Sequence, residues 1–140
     1  MNKIMVKEVG QASRIIEVDD KYVTECAKKF IHDYPEYVHL GNELYLFVDG
    51  EGLIKELPVN FLLEINSPYF PIQKMVGTVV FIREKPVGPG EIYDYEVDDL
   101  TELDMKLIEF ITSSEKQEEQ IIRKAPENNL MPGRLVLNYR

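Results

Sequence analysis

The chain has 140 residues, with 16 Lys plus Arg against 25 Asp plus Glu and a formal net charge of −9. That length suits one domain and buries roughly two thirds of the surface of the unfolded chain, so a core needs no disulfide or metal. The acidic balance disfavours direct nucleic-acid binding and anionic membrane surfaces, both of which call for clustered Lys and Arg, and the single cysteine, Cys26, excludes an intramolecular disulfide.

The N-terminus is broken by charges before any apolar run of signal-peptide length. Residues 3–9 and 14–18 are short and β-branched, so they predict a hairpin or one interrupted strand. Asp19 or Asp20 then offers a helix N-cap. Tyr22, Val23, Cys26, Ala27, Phe30 and Ile31 form one apolar stripe of 3.6-residue period, which predicts a helix over 21–33 ending before Pro35. Residues 37–40, the Gly41-Asn42 turn and residues 43–48 read as a β-hairpin. The segment 57–65 reads as a short helical turn with Pro58 at its start, followed by a loop through Asn66, Ser67, Pro68 and Pro71.

Residues 75–82 are the most apolar of the chain, nearly continuous and β-branched. They predict a central strand buried on both faces, and at eight residues they fall far short of the roughly 20 needed by a membrane helix. Residues 86–90 are a loop. Thr101 with Asp104 three residues on resembles a capping box, opening a helix over 102–111 with Leu103, Leu107, Phe110 and Ile111 as its apolar face. From 112 to 120 the chain is polar. In 134–140 Leu135, Leu137 and Tyr139 alternate with Val136, Asn138 and Arg140, which predicts a strand that adds to a sheet edge of its own chain or of a second copy.

Chemistry-bearing motifs are sparse. Cys26 lies in the apolar stripe, and His32 is turned about 240° from it on an ideal helix, so the thiol reads as core. His32 and His39 have no metal-ligand spacing, and Asp94, Glu96 and Asp98 lack the glycine of a calcium loop, so no metal or cofactor is expected. Gly50-Glu51-Gly52 and Gly88-Pro89-Gly90 lack the spacing and Lys of a phosphate cradle. No catalytic residue stands out, and the case for an enzyme is weak.

Three stretches in order carry a family resemblance: the helix after Asp19-Asp20 leading into Tyr37-Val38-His39-Leu40; Gly50-Glu51-Gly52-Leu53 leading to Leu57-Pro58-Val59-Asn60; and Val76-Gly77-Thr78-Val79-Val80-Phe81-Ile82. Residues 19–111 resemble an uncharacterised family known as domain of unknown function 3846, whose members occur mostly in phages, plasmids, conjugative elements and their hosts. The sequence departs from that pattern at Phe61, where the family often carries Arg after the Asn, and in its extra tail. The resemblance implies a setting and no chemistry.

The expected architecture is a single α+β domain over 1–111, a small mixed sheet centred on 75–82 with two or three helices packed on it, and a polar C-terminal extension over 112–140 through which homo-oligomers could form. The expected function is that of a cytoplasmic, non-enzymatic, acidic accessory protein of a phage or mobile element. Its partner would be a basic host protein. Seven carboxylates without a Lys or Arg fall between Glu91 and Asp104. Within that run Tyr93, Asp94, Tyr95, Glu96, Asp98 and Asp99 are the candidate partner-binding residues. In an extended chain Tyr93, Tyr95 and Val97 would anchor on the core and Asp94, Glu96 and Asp98 would form an acidic ridge. The alternative is a small-molecule or nucleotide binder with a pocket near Asn60 and Thr78. Asn60 is expected to hydrogen-bond the backbone of its own turn, and Gly77 to mark a close backbone approach.

Overall fold

The computed structural model describes residues 1–32, 34–64, 72–86, 95–113 and 117. The terminal strand expected over 134–140, the loops at 66–71 and 87–90, and the side chains of Tyr93 and Asp94 lie outside the described residues. None of the described helices is long and apolar enough to cross a membrane.

Strands β1 (Asn2–Lys7) and β2 (Arg14–Val18) pair antiparallel, which is the hairpin and not the single interrupted strand of the two arrangements the sequence allows. Helix α1 (Val23–Ile31) follows, then the hairpin β3 (Pro35–Gly41) and β4 (Leu44–Asp49), β5 (Val59–Leu63), β6 (Gln73–Val76), β7 (Val79–Glu84), β8 (Val97–Asp98) and α2 (Glu102–Ile111). The main sheet runs β2-β1-β7-β4-β3, and β8 takes over from β1 along one edge of β7. Strands β5 and β6 form a separate two-stranded sheet. Pairing among the described strands is antiparallel throughout, where the sequence suggested a mixed sheet.

Alternation along the strands divides the core into two clusters. Ile4, Val6, Phe47, Val80, Ile82 and Val97 pack with Val23, Cys26, Ala27 and Ile31 of α1. Met5, Leu44, Leu46, Val79 and Phe81 pack on the other side with Phe61, Leu63 and Met75 of the small sheet and Ile108 of α2. The result is three layers, with β7 at the centre and Val79, Val80, Phe81 and Ile82 fully buried.

Several expectations are corrected. The apolar run 75–82 is not one strand: it breaks at Gly77, and its first part belongs to the small sheet. Residues 59–63 form a strand and not a helical turn; Phe61 and Leu63 are both buried, a two-residue period that outweighs the helix-start preference of Pro58. Neither Asp19 nor Asp20 caps α1, whose N-cap is Tyr22. The first N–H, that of Val23, donates instead to the Tyr95 carbonyl at 2.8 Å, and Asp20 accepts from Lys29.

The capping box of α2 is present as expected: Asp104 N–H donates to Thr101 Oγ1 at 3.0 Å and Thr101 N–H to Asp104 Oδ2 at 2.9 Å. Of the expected apolar face of α2 only Ile111 packs against the core. Leu103 is 76 % exposed and Phe110 59 %, while Asp104 and Ile108 are buried. The cause is Arg83 of β7, whose Nε and Nη2 donate to Asp104 Oδ2 and Oδ1 at 2.7 and 2.8 Å. This fork turns Asp104, rather than the Leu103 side of the helix, onto the sheet. Burial alone would raise the Asp104 carboxyl, but the Arg83 guanidinium and the Thr101 donors hold it below the ordinary carboxylate range.

Arg83→Leu leaves Asp104 buried without its counter-ion and is expected to lower stability by about 3 kcal/mol at neutral pH, read by urea unfolding. Because the folded-state pKa of Asp104 is depressed, its contribution is present above the unfolded carboxylate value and lost as pH falls through the folded one. The difference between the wild type and Arg83→Leu therefore shrinks in acid.

Candidate functional site

Asn60 and Thr78 flank the Gly77 break, and the structure gives them different roles. Asn60 is the bulged residue of β5, since the register slips between Val59 and Phe61. The bulge sends its carboxamide out of the small sheet. Nδ2 donates to the carbonyls of Lys7 and Gly77, each at 2.7 Å, and Oδ1 accepts from Lys7 Nζ at 2.9 Å. Its partners lie 53 and 17 residues away, not in its own turn as expected. Gly77 N–H donates to Pro58 O at 2.8 Å, so the Gly77 peptide is held on both sides. Gly77 has φ +71°, and a Cβ there would stand 2.8 Å from Leu57 Cδ1, the close approach its place in the run suggested. Thr78 lines a mostly apolar cleft of about 430 Å³ with Phe30, Leu57 and Pro58, where the Lys55–Asp49 ion pair supplies the charge.

The described part of the acidic run is tied into the fold. Tyr22 and Glu96 form an isolated antiparallel bridge, Val97 N–H donates to Lys21 O, and Lys85 N–H donates to Glu96 O. Asp99 Oδ1 accepts from Lys3 N–H at 2.6 Å, and Asp98 Oδ1 accepts from Asp99 N–H. Glu96 lies 3.9 Å from Lys85 Nζ, an exposed pair of little energetic weight. Val97 is buried, whereas Tyr95 is 47 % exposed and does not anchor on the core as expected.

The structure adds a cluster that the sequence reading missed. At the turn end of the β3–β4 hairpin, on the α1 side of the sheet, the His39 and Tyr45 rings stack with centroids 4.6 Å apart. The Tyr37 ring meets Tyr45 edge-on at 5.5 Å. His39 also bonds the Asn42 carbonyl across the turn. Burial, with the charges of Glu84 and Glu43, pushes the Tyr45 phenol above its usual value, and the Tyr95 and Tyr37 hydroxyls lie within electrostatic range of it.

Glu84 is the unusual member. It is 7 % exposed, and its carboxyl has no hydrogen-bond or ion-pair partner among the described residues. Burial pushes its pKa up to about 7, against a lowering by His39, with Glu43 adding to the rise. The signal was in the sequence as the last residue of the most apolar strand, where alternation would aim it to the same side as Ile82. Cys26, by contrast, is inert: burial, then the Asp20 charge, raise its thiol to about 11 against the lowering by Lys29. No group of His, Cys, Asp and Glu among the described residues could hold a metal ion. Neither a family model, nor a curated protein, nor a solved structure matches the chain.

Asn60→Ala removes three long-range bonds and leaves the Lys7 ammonium and two buried carbonyls short of partners. It is expected to cost about 2–3 kcal/mol in denaturant unfolding, more than a local turn bond would. Glu84→Gln tests the raised pKa. Protonation favours the fold here, so the wild type loses stability as pH rises from the unfolded glutamate value through about 7. Glu84→Gln should remove that decline and be the more stable protein at pH 8 by about 2 kcal/mol, seen as a melting-point difference from the wild type that opens as pH rises from 5 to 8.

Proposed function

We propose that the protein is a non-enzymatic binding module that receives basic side chains of a protein partner on the tyrosine–carboxyl cluster. The observation that carries this reading is the gathering of Tyr37, Tyr45, Tyr95, Glu43 and Glu84 at one end of one sheet face. Tyrosine ring faces attract ammonium and guanidinium groups, and nearby carboxylates add charge attraction. The rings are available: Tyr37 is 66 % and Tyr95 47 % exposed. A net charge of −9 would steer a basic partner toward the molecule from a distance.

This reading relocates the expected basic-partner surface. The acidic run contributes Tyr95, while Glu96 faces Lys85 and Asp98 and Asp99 serve backbone N–H groups. A cation entering the cluster also displaces the proton on Glu84, so binding strengthens as pH rises through about 7. The role as an accessory protein of a phage or mobile element rests on the resemblance of residues 19–111, and a cytoplasmic setting on the lone buried thiol. Copies of the chain would associate through the C-terminal extension over 112–140. The second reading, a small-molecule binder, is favoured by the cleft beside Thr78; Asn60 is committed to the fold and would not touch its ligand.

The test uses a dye-labelled tetra-arginine peptide and its tetra-glutamate counterpart, titrated by anisotropy at low and high salt. The arginine peptide should bind with an affinity that falls with salt and rises between pH 6 and 8. Tyr37→Ala with Tyr95→Ala should weaken it about tenfold without changing the melting point. Equal binding by that variant and the wild type, or equal binding of the two peptides, would overturn the reading.

A further inference from the structure

On the opposite face of the sheet from the tyrosine cluster, Lys7 ends β1 in an unusual state for a lysine. It is 7 % exposed, and its ammonium meets only neutral oxygens: Asn60 Oδ1 at 2.9 Å and the Glu8 carbonyl at 3.2 Å. A lysine ammonium has three N–H donors, so one has no acceptor among the described residues. No carboxylate pairs with it among the described residues. Burial lowers its pKa, and the two neutral oxygens do not offset that desolvation as a counter-ion would.

Lys7 lines a cavity of about 490 Å³ between the β1–β2 connection and the C-terminal end of α2. Gln11, Ala12 and Ser13 form one wall, and Glu109 and Thr112 the other. The Gln11 carboxamide and the Ser13 hydroxyl have no hydrogen-bond partner among the described residues, so both can donate into the space. Thr112 Oγ1 already donates to the Ile108 carbonyl. Glu109 is the single carboxylate of the lining among the described residues and is exposed at the rim.

We propose that this cavity is a binding site for a small phosphorylated compound, whose phosphate sits against the Lys7 ammonium, the Gln11 carboxamide and the Ser13 hydroxyl. The cavity is much larger than a phosphate group, which leaves room for an organic part between the two walls. Glu109 at the rim would accept from a hydroxyl or amine on that part, and it disfavours ligands with a second anionic end. The phosphate supplies a counter-charge that Lys7 does not find among the described residues, and binding should therefore stabilise the fold.

The experiment is a melting-point titration with phenyl phosphate, compared with phenol and with sodium chloride at matched ionic strength. The phosphate ester should raise the melting point progressively and phenol should not. Lys7→Met should abolish the shift. Since that substitution also removes the bond to Asn60, the double variant Gln11→Ala with Ser13→Ala serves as the second arm. Both of its residues lie on the connection outside the core, so it should keep the wild-type melting point while its dissociation constant for phenyl phosphate, read by calorimetry, rises about tenfold. A shift no larger than that of chloride overturns the proposal. So does a shift of wild-type size in either variant that folds.

Discussion

The break at Gly77 is the constraint on which the rest of this structure depends. An apolar run of this strength would otherwise continue as one strand, and the small sheet could not form beneath the main one. Three features hold the break. The positive φ of Gly77 turns the chain, Leu57 occupies the space a Cβ would take, and Asn60 and Pro58 bind the two sides of the Gly77 peptide. Asn60 reaches further, to the backbone and side chain of Lys7, so the same carboxamide joins β5 to the end of β1. Where β6 stops, β7 starts as the centre of the main sheet, and both core clusters follow from that change of layer.

Much of this was legible in the sequence because local physics and tertiary packing agree there. The α1 stripe, the Gly41-Asn42 hairpin and the Thr101–Asp104 capping box each appear where spacing places them. Errors arose where a distant partner overrides a local preference. The Arg83 fork rotates α2 so that it buries Asp104 and leaves Leu103 outside, although an apolar count favours the reverse. The cap of α1 comes from the Tyr95 carbonyl across the fold, which no neighbouring residue announces. Asn60 has a structural task, but its partners lie too far along the chain to be read from a turn.

The candidate sites were the least legible part, for a related reason. The acidic run is conspicuous as composition, yet its described carboxylates are largely occupied by backbone N–H groups. The tyrosine–carboxyl cluster is inconspicuous because its members come from β3, β4, β7 and the segment before β8, and only the sheet register brings them together. A single glutamate closing an apolar strand reads as a solvated end until the strand is known to be the central one.

Glu84 and Lys7 together argue that the molecule is shaped by more than stability. Each is 7 % exposed, each titrates away from its ordinary value in the direction burial dictates, and their ionised forms carry opposite charges. Paired, they would offset part of each other's desolvation cost. They are instead aimed at opposite faces of one sheet: Glu84 beside Val97 on the α1 side, and Lys7 on the side of Met5 and α2. At Glu84 an apolar side chain of similar length would fill the same volume at lower cost, and at Lys7 the bonds to Asn60 Oδ1 and the Glu8 carbonyl leave the charge itself without a counter-ion among the described residues. Opposed charges kept apart by the sheet are what two separate recognition surfaces would need, one for a cation and one for an anion. A single surface would need only one of them.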